Sequence, residues 1–245
     1  MSASRFRAIR LLPVIAGAVF ASCDPAARSG FPGEPLFSVR GQVMSSGPTN
    51  IPLEAAMLWQ RGPPPSMNDQ ELATKAPVES GFPAIFTLHL YQPPPAAALR
   101  TLSSGQVTYA RAIAAAIPYG SASAGASVPG VTPQNPGNGI DATHWVLYLV
   151  SDVPAGSLME WWLGAALPAG FHLLRVHDAG CPNAAVLAAC VADLVQRGVT
   201  DDGTAQPGTA RFFCTQPYRL SAAPPDEQLV LTLASGTAAS PCSPL

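Results

Sequence analysis

The sequence predicts a mainly β protein, a β-sandwich whose C-terminal part carries one α-helix in a disulfide-stapled cap. Three observations lead there. Short apolar segments of strand length recur along the chain, separated by turn residues, as in sandwich proteins. Proline and glycine contribute 27 and 21 of the 245 residues, too many breakers for a helical bundle. Helical period appears in one segment only, residues 183–196, in the third of the chain that also holds four of the five cysteines.

The strands follow in order. Residues 36–43 alternate apolar and polar, and residues 53–60 place Ala55, Met57 and Trp59 on one face with Leu58 opposite. Residues 84–91 (AIFTLHLY) are β-branched or aromatic at several positions. Residues 106–117 are ambiguous: alanine favours helix, but Val107, Tyr109, Arg111 and Ile113 alternate, which decides for a strand. Residues 145–150 (WVLYLV) form an apolar run suited to burial on both faces. Residues 170–176, 211–214 and 228–233 complete the set. Triple prolines in 62–68 and 92–95 make stiff connections. Residues 120–138 are the longest loop, rich in Ser, Ala, Gly and Pro. The folded part therefore divides into a first half at 36–118, a flexible loop at 119–143 and a remainder at 144–245.

In the helix, Val186, Leu187, Cys190, Val191, Leu194 and Val195 form one stripe, with Asn183 as N-cap and Gly198 as stop. Cys181 then lies about 10–13 Å from Cys190 at 1.5 Å per residue, beyond the ~7 Å that a disulfide spans. Cys181, Cys190, Cys214 and Cys242 are expected to form two disulfides, with Cys190 bonded to Cys214 or Cys242.

Only 11% of residues are charged and the net charge is −2, against about 25% charged in an ordinary soluble domain. Lys75 is the sole lysine and no basic run exists, which excludes nucleic acid as a partner. The start of the chain is different. Arg5, Arg7 and Arg10 precede an apolar run at 11–20 and a small-residue exit before Cys23. That run is shorter than the ~20 residues needed to span a bilayer, and the order is that of a secretory signal peptide.

Ala21-Ser22-Cys23 resembles the lipobox of bacterial lipoproteins, with Phe20 where leucine is usual. The resemblance implies cleavage after residue 22, lipidation of Cys23 and a tether at 23–35. The protein would be anchored to the inner or outer membrane of the cell envelope, facing periplasm or exterior. Loss of the three arginines takes the net charge from −2 to −5, so the body should be repelled from an anionic bilayer. Residues 37–43 and 51–59 resemble the opening of prealbumin-like modules: strand, Gly-x-Val, turn, proline, second strand. This implies a prealbumin- or immunoglobulin-like sandwich. The mature part also resembles uncharacterised myxobacterial lipoproteins in the GF-x-LLR turn at 170–175 and in Phe213-Cys214 ahead of Pro217-Tyr218.

Chemistry is sparse. There is no G-x-S-x-G, S-x-x-K, H-E-x-x-H or phosphate loop, and no cofactor is expected. His172, His177 and Cys181 lack zinc-site spacing. Residues 135–141 (NPGNGID) carry proline and asparagine where a calcium loop needs carboxylates, so no metal is expected. Asp141 and His144 are candidates for a base with its orienter, lacking a nucleophile. Glu160-Trp161-Trp162 is a candidate sugar-stacking platform, which an exposed strip with Trp161 or Trp162 would favour; the expected arrangement is a core-and-surface split on a strand. The expected role is a non-catalytic binding or interaction module, with an envelope protein or glycan as partner. A structural envelope component and a hydrolase of an envelope polymer are the alternatives.

Overall fold

A computed structural model describes residues 33–45, 52–61, 69–78, 81–101, 107–120, 139–141, 143–178, 182–206, 208–216 and 218–233. From Glu34 onward the chain is one unit. Among the described residues there are ten strands: β1 (Phe37–Ser45), β2 (Leu53–Arg61), β3 (Asp69–Pro77), β4 (Ala84–Leu90), β5 (Arg100–Thr101), β6 (Thr108–Pro118), β7 (His144–Leu149), β8 (Gly170–Asp178), β9 (Tyr218–Ala222) and β10 (Leu229–Leu233). The same residues hold three α-helices, α1 (Leu158–Leu163), α2 (Ala184–Gln196) and α3 (Ala210–Cys214), and a short 3₁₀ helix at Ala96–Ala98.

The strands make two sheets, and the fold is β-sandwich-like. A small sheet has the order β10-β1-β4, with β10 parallel to β1. A large one runs β3-β2-β6-β7-β8-β9, with β5 paired to β6. Pleating sends alternate residues of the large sheet to opposite faces. Met57, Trp59, Ala112, Ala114 and Val146 pack against Val39, Phe86, Leu88 and Leu231 of the small sheet. Leu58, Ile113, Leu147 and Leu174 pack against Met159, Leu163, Leu194 and Phe213 of the helices. The large sheet is thus covered on both faces, which is why β2, β6 and β7 read as continuous apolar runs.

Its β3 edge is guarded. On β3 the register shifts opposite Met57/Leu58, and Lys75 and Pro77 follow. A bulge, a lysine and a proline all discourage pairing with another chain.

Three sequence expectations need correction. Residues 211–214, expected as a strand, lie in α3, because the Thr209 side chain caps the Phe212 N–H and turns the chain into a helix. Trp161 and Trp162 lie in α1, not on a strand; Ser157 caps the Glu160 N–H, and Glu160 reaches back to the Gly156 N–H. The α2 stripe is narrower than expected. Asn183 caps it and Gly198 follows it, but only Leu187, Cys190, Val191 and Leu194 meet the core, while Val186 and Val195 are about half exposed. Those four occupy i, i+3, i+4 and i+7, whereas Val186 and Val195 stand about 90° from the centre of that stripe, one on each side. Strands β3, β5 and β9 have no counterpart among the strands expected from the sequence.

Cys190 of α2 is bonded to Cys214 of α3, with Cα atoms 5.8 Å apart, one of the two pairings expected for Cys190. Cys23, Cys181 and Cys242 lie outside the described residues.

Gly41 shows how tightly the small sheet is built. A Cβ there would lie 2.3 Å from Phe86 Cζ and 2.8 Å from the Leu229 carbonyl oxygen on the neighbouring strands. The ring could turn away, but the β10 backbone could not. Gly41→Ala is therefore expected to cost about 3 kcal/mol, the upper part of the overpacking range. A denaturation curve checks it, and an unchanged midpoint would refute the packing argument.

Candidate functional site

Of the residues 120–138 expected as a long loop, 121–138 lie outside the described residues, and residues 139–141, which follow, lie along β6. Ile140 bridges Ala115, and the Asp141 N–H donates to the Ala114 carbonyl at 3.0 Å. The Asp141 side chain is buried and fully used. Its Oδ1 accepts from the Thr143 N–H (2.7 Å), the Thr143 hydroxyl (2.6 Å) and the His144 N–H (3.1 Å), an aspartate turn that starts β7. Its Oδ2 faces His144 Nδ1 at 2.9 Å and accepts from the Val230 N–H of β10 at 3.0 Å. One carboxylate therefore ends the loop, opens a strand of the large sheet and holds a strand of the small one.

The other face of the imidazole meets a second carboxylate. His144 Nε2 lies 3.0 Å from Glu227 Oε1, close enough for an ion pair but off hydrogen-bond alignment. The same oxygen accepts from Arg175 Nε at 2.9 Å and from its terminal nitrogen at 2.5 Å. Arg175 stands opposite His144 in the β7–β8 register and is 43% exposed. A chain of alternating charge thus runs from solvent at Arg175 inward through Glu227 and His144 to Asp141.

Burial alone would lower the His144 pKa, but its contacts with the Asp141 and Glu227 carboxylates outweigh it and raise the net value. For Asp141 burial pushes upward, and the bonds from His144 and Thr143 bring the result below the ordinary carboxylate range. Glu227 is lowered likewise, by Arg175 and His144 against its desolvation. Both carboxylates favour the imidazolium form over the neutral ring.

The sequence-predicted Asp141–His144 pair is therefore real as a contact. A general base, however, needs a free nitrogen aimed at a nucleophile, and here both nitrogens face carboxylates. The Thr143 hydroxyl, 3.0 Å from His144 Nδ1, is also bonded to Asp141. A separate His177–Ser221 contact of 2.7 Å joins β8 to β9. It lies exposed, and among the described residues His177 has no second hydrogen bond to orient it.

Trp161 and Trp162 do not join this group, because they belong to the helical side of the large sheet and His144 to the opposite face. Trp162 is buried edge-on to Tyr109 and Phe213, at centroid distances of 5.8 and 5.9 Å. Trp161 is half-buried, with the Arg219 guanidinium 5.6 Å over its ring. The pair is split between core and surface.

Three charged residues escaped the sequence reading. Arg175 and Glu227 look like ordinary surface charges, since nothing local tells that they meet across 52 residues. Arg111 is buried on the helical face, its guanidinium 4.0 Å over Trp145 and its Nε donating to the Gln60 side-chain oxygen. Burial lowers its pKa, with Tyr218 and Tyr109 acting in the opposite sense. A single arginine within an alanine-rich strand was the available signal.

Among the described residues, no group of three or more His, Cys, Asp and Glu could hold a metal ion, and no helix is long and apolar enough to cross a membrane. The chain matches no known family, curated protein or solved structure at a significant level.

Proposed function

We propose that the chain is an exported lipoprotein, anchored through Cys23 in the cell envelope, whose folded part is a non-catalytic interaction module. The Cys190–Cys214 disulfide carries this reading, because such bonds persist in oxidising compartments outside the cytosol. It agrees with the basic, apolar and small-residue order of the first 23 residues. Two further observations bear on the module's role. The imidazole that a hydrolase would use is committed to two carboxylates. The less buried of the two tryptophans, Trp161, has the Arg219 guanidinium 5.6 Å over its ring, where a glycan would have to compete with it. An envelope protein is accordingly the favoured partner.

Mass spectrometry of the membrane fraction tests the anchor. The expected species begins at Cys23 and carries diacylglycerol with or without an amide-linked acyl chain. Cys23→Ala should accumulate uncleaved precursor lacking that mass. An intact Met1 terminus on the wild-type protein, without acyl mass, would overturn the reading. One acyl chain anchors only marginally and two or more hold firmly, so the lipid mass also fixes how tightly the protein is held.

A further inference from the structure

We propose that the Asp141–His144–Glu227–Arg175 chain is a proton-operated latch between the two sheets, closed while His144 carries its proton and loosened at the joint between residues 139–144 and β10 when that proton leaves. This goes beyond the export reading and does not depend on it.

The geometry carries the argument. An imidazolium donates from both nitrogens, and here each faces a carboxylate oxygen, Asp141 Oδ2 at 2.9 Å and Glu227 Oε1 at 3.0 Å. Neutral imidazole has one N–H only. Whichever tautomer forms, one ring nitrogen then presents a lone pair to a carboxylate at hydrogen-bond distance. Two carboxylates are left sharing a buried neutral ring that is 6% exposed. A nitrogen lone pair held against a carboxylate in a buried site is repulsive, although each carboxylate keeps other donors.

The neighbours decide where the strain goes. From the loop end, Asp141 and the Thr143 hydroxyl face the ring; from β8, Arg175; from the β9–β10 turn, Glu227. The small sheet contributes the Val230 N–H, bound to the same Asp141 oxygen that meets His144. The β6 positions nearest in register, Ala112 and Ala114, carry no charge. Glu227 keeps Arg175 when the ring deprotonates, and half of Asp141 keeps Thr143. The Nδ1 bond to Asp141 is the aligned one, so the neutral ring keeps its proton there and turns its Nε2 lone pair on Glu227 Oε1. Glu227 lies in the turn that leads into β10, so the weakened link is the one between sheets.

The sign follows from the shifts. His144 is raised above its ordinary 6.5, so its contribution is complete below that pH and lost as pH rises through the folded value. Asp141 and Glu227 are lowered from 3.8 and 4.5, so theirs is complete above those values and lost on acidification. The latch is fully closed from about pH 4.5 to 6.5 and opens on the alkaline side first.

The experiment follows the His144 ring protons by NMR on the full chain while hydrogen exchange is read at the Val230 amide. His144 is expected to titrate above 6.5. Val230 protection, corrected for intrinsic base catalysis, should fall across the same midpoint, about tenfold for each pH unit by which that midpoint exceeds 6.5. His177→Gln should leave the step in place, and His144→Gln should abolish it. Val230 protection that stays constant through the His144 titration, or a step that vanishes with His177 instead, overturns the latch. The wild-type measurement decides the question even if His144→Gln fails to fold.

Discussion

Asp141→Ala is expected to destabilise the protein by about 3–5 kcal/mol, the range for removing one partner of a buried ion pair. The substitution leaves His144 against Glu227 alone and strips acceptors from the Thr143, His144 and Val230 N–H groups. Each orphaned buried donor adds to the loss of the pair itself. Asp141→Asn keeps the shape and one carbonyl acceptor but puts an amide where the second carboxylate oxygen stood. It should lie between wild type and alanine. Thermal unfolding reads the series, since each kcal/mol shifts the midpoint by about 2–4 °C in a chain of this size. An alanine variant within 2 °C of wild type would show that the buried carboxylate is not what joins the sheets.

Reducing the Cys190–Cys214 bond should cost about 2–4 kcal/mol, the usual effect of opening a loop of this length, and the loss should be local. The bond closes 24 residues. Within them α2 touches the core only through Leu187, Cys190, Val191 and Leu194, and a lone helix of thirteen residues is marginal in water. Hydrogen exchange under reducing conditions should therefore lose protection in α2 and α3 first, while β2, β6 and β7 keep theirs. Uniform loss across the sheets would contradict this ordering. A peptide map of the unreduced protein should show Cys190 joined to Cys214 and, on the export reading, Cys181 joined to Cys242.

How far the sequence reached depends on whether each signal was local. Strand β7 was legible because burial on both faces leaves a run with no polar position, WVLYLV. Helix α2 was legible because its cap, period and stop all lie within sixteen residues, Asn183 to Gly198. Helices α1 and α3 were misread although each has a capping side chain, Ser157 and Thr209, because their apolar content outweighed those single residues. Strand β3, DQELATKAP, carries little β propensity of its own and exists because β2 offers it a paired edge. The Asp141–His144 contact was legible at a spacing of three. Its completion was not, because Val230 and Glu227 lie far along the chain.

By itself, then, the sequence determined the class of fold, most of the strands, the capped helix and the partners open to Cys190. These are consequences of period, capping chemistry and reach, which act over a few residues. Tertiary structure alone decided which strands share a sheet, with β10 returning to lie parallel to β1. It also decided that helices cover one face of the large sheet, and that a candidate catalytic histidine is instead clamped between two carboxylates. Those outcomes rest on contacts such as Asp141 with Val230, 89 residues apart. Such a contact forms only when burial of both sheet faces has brought the strands together.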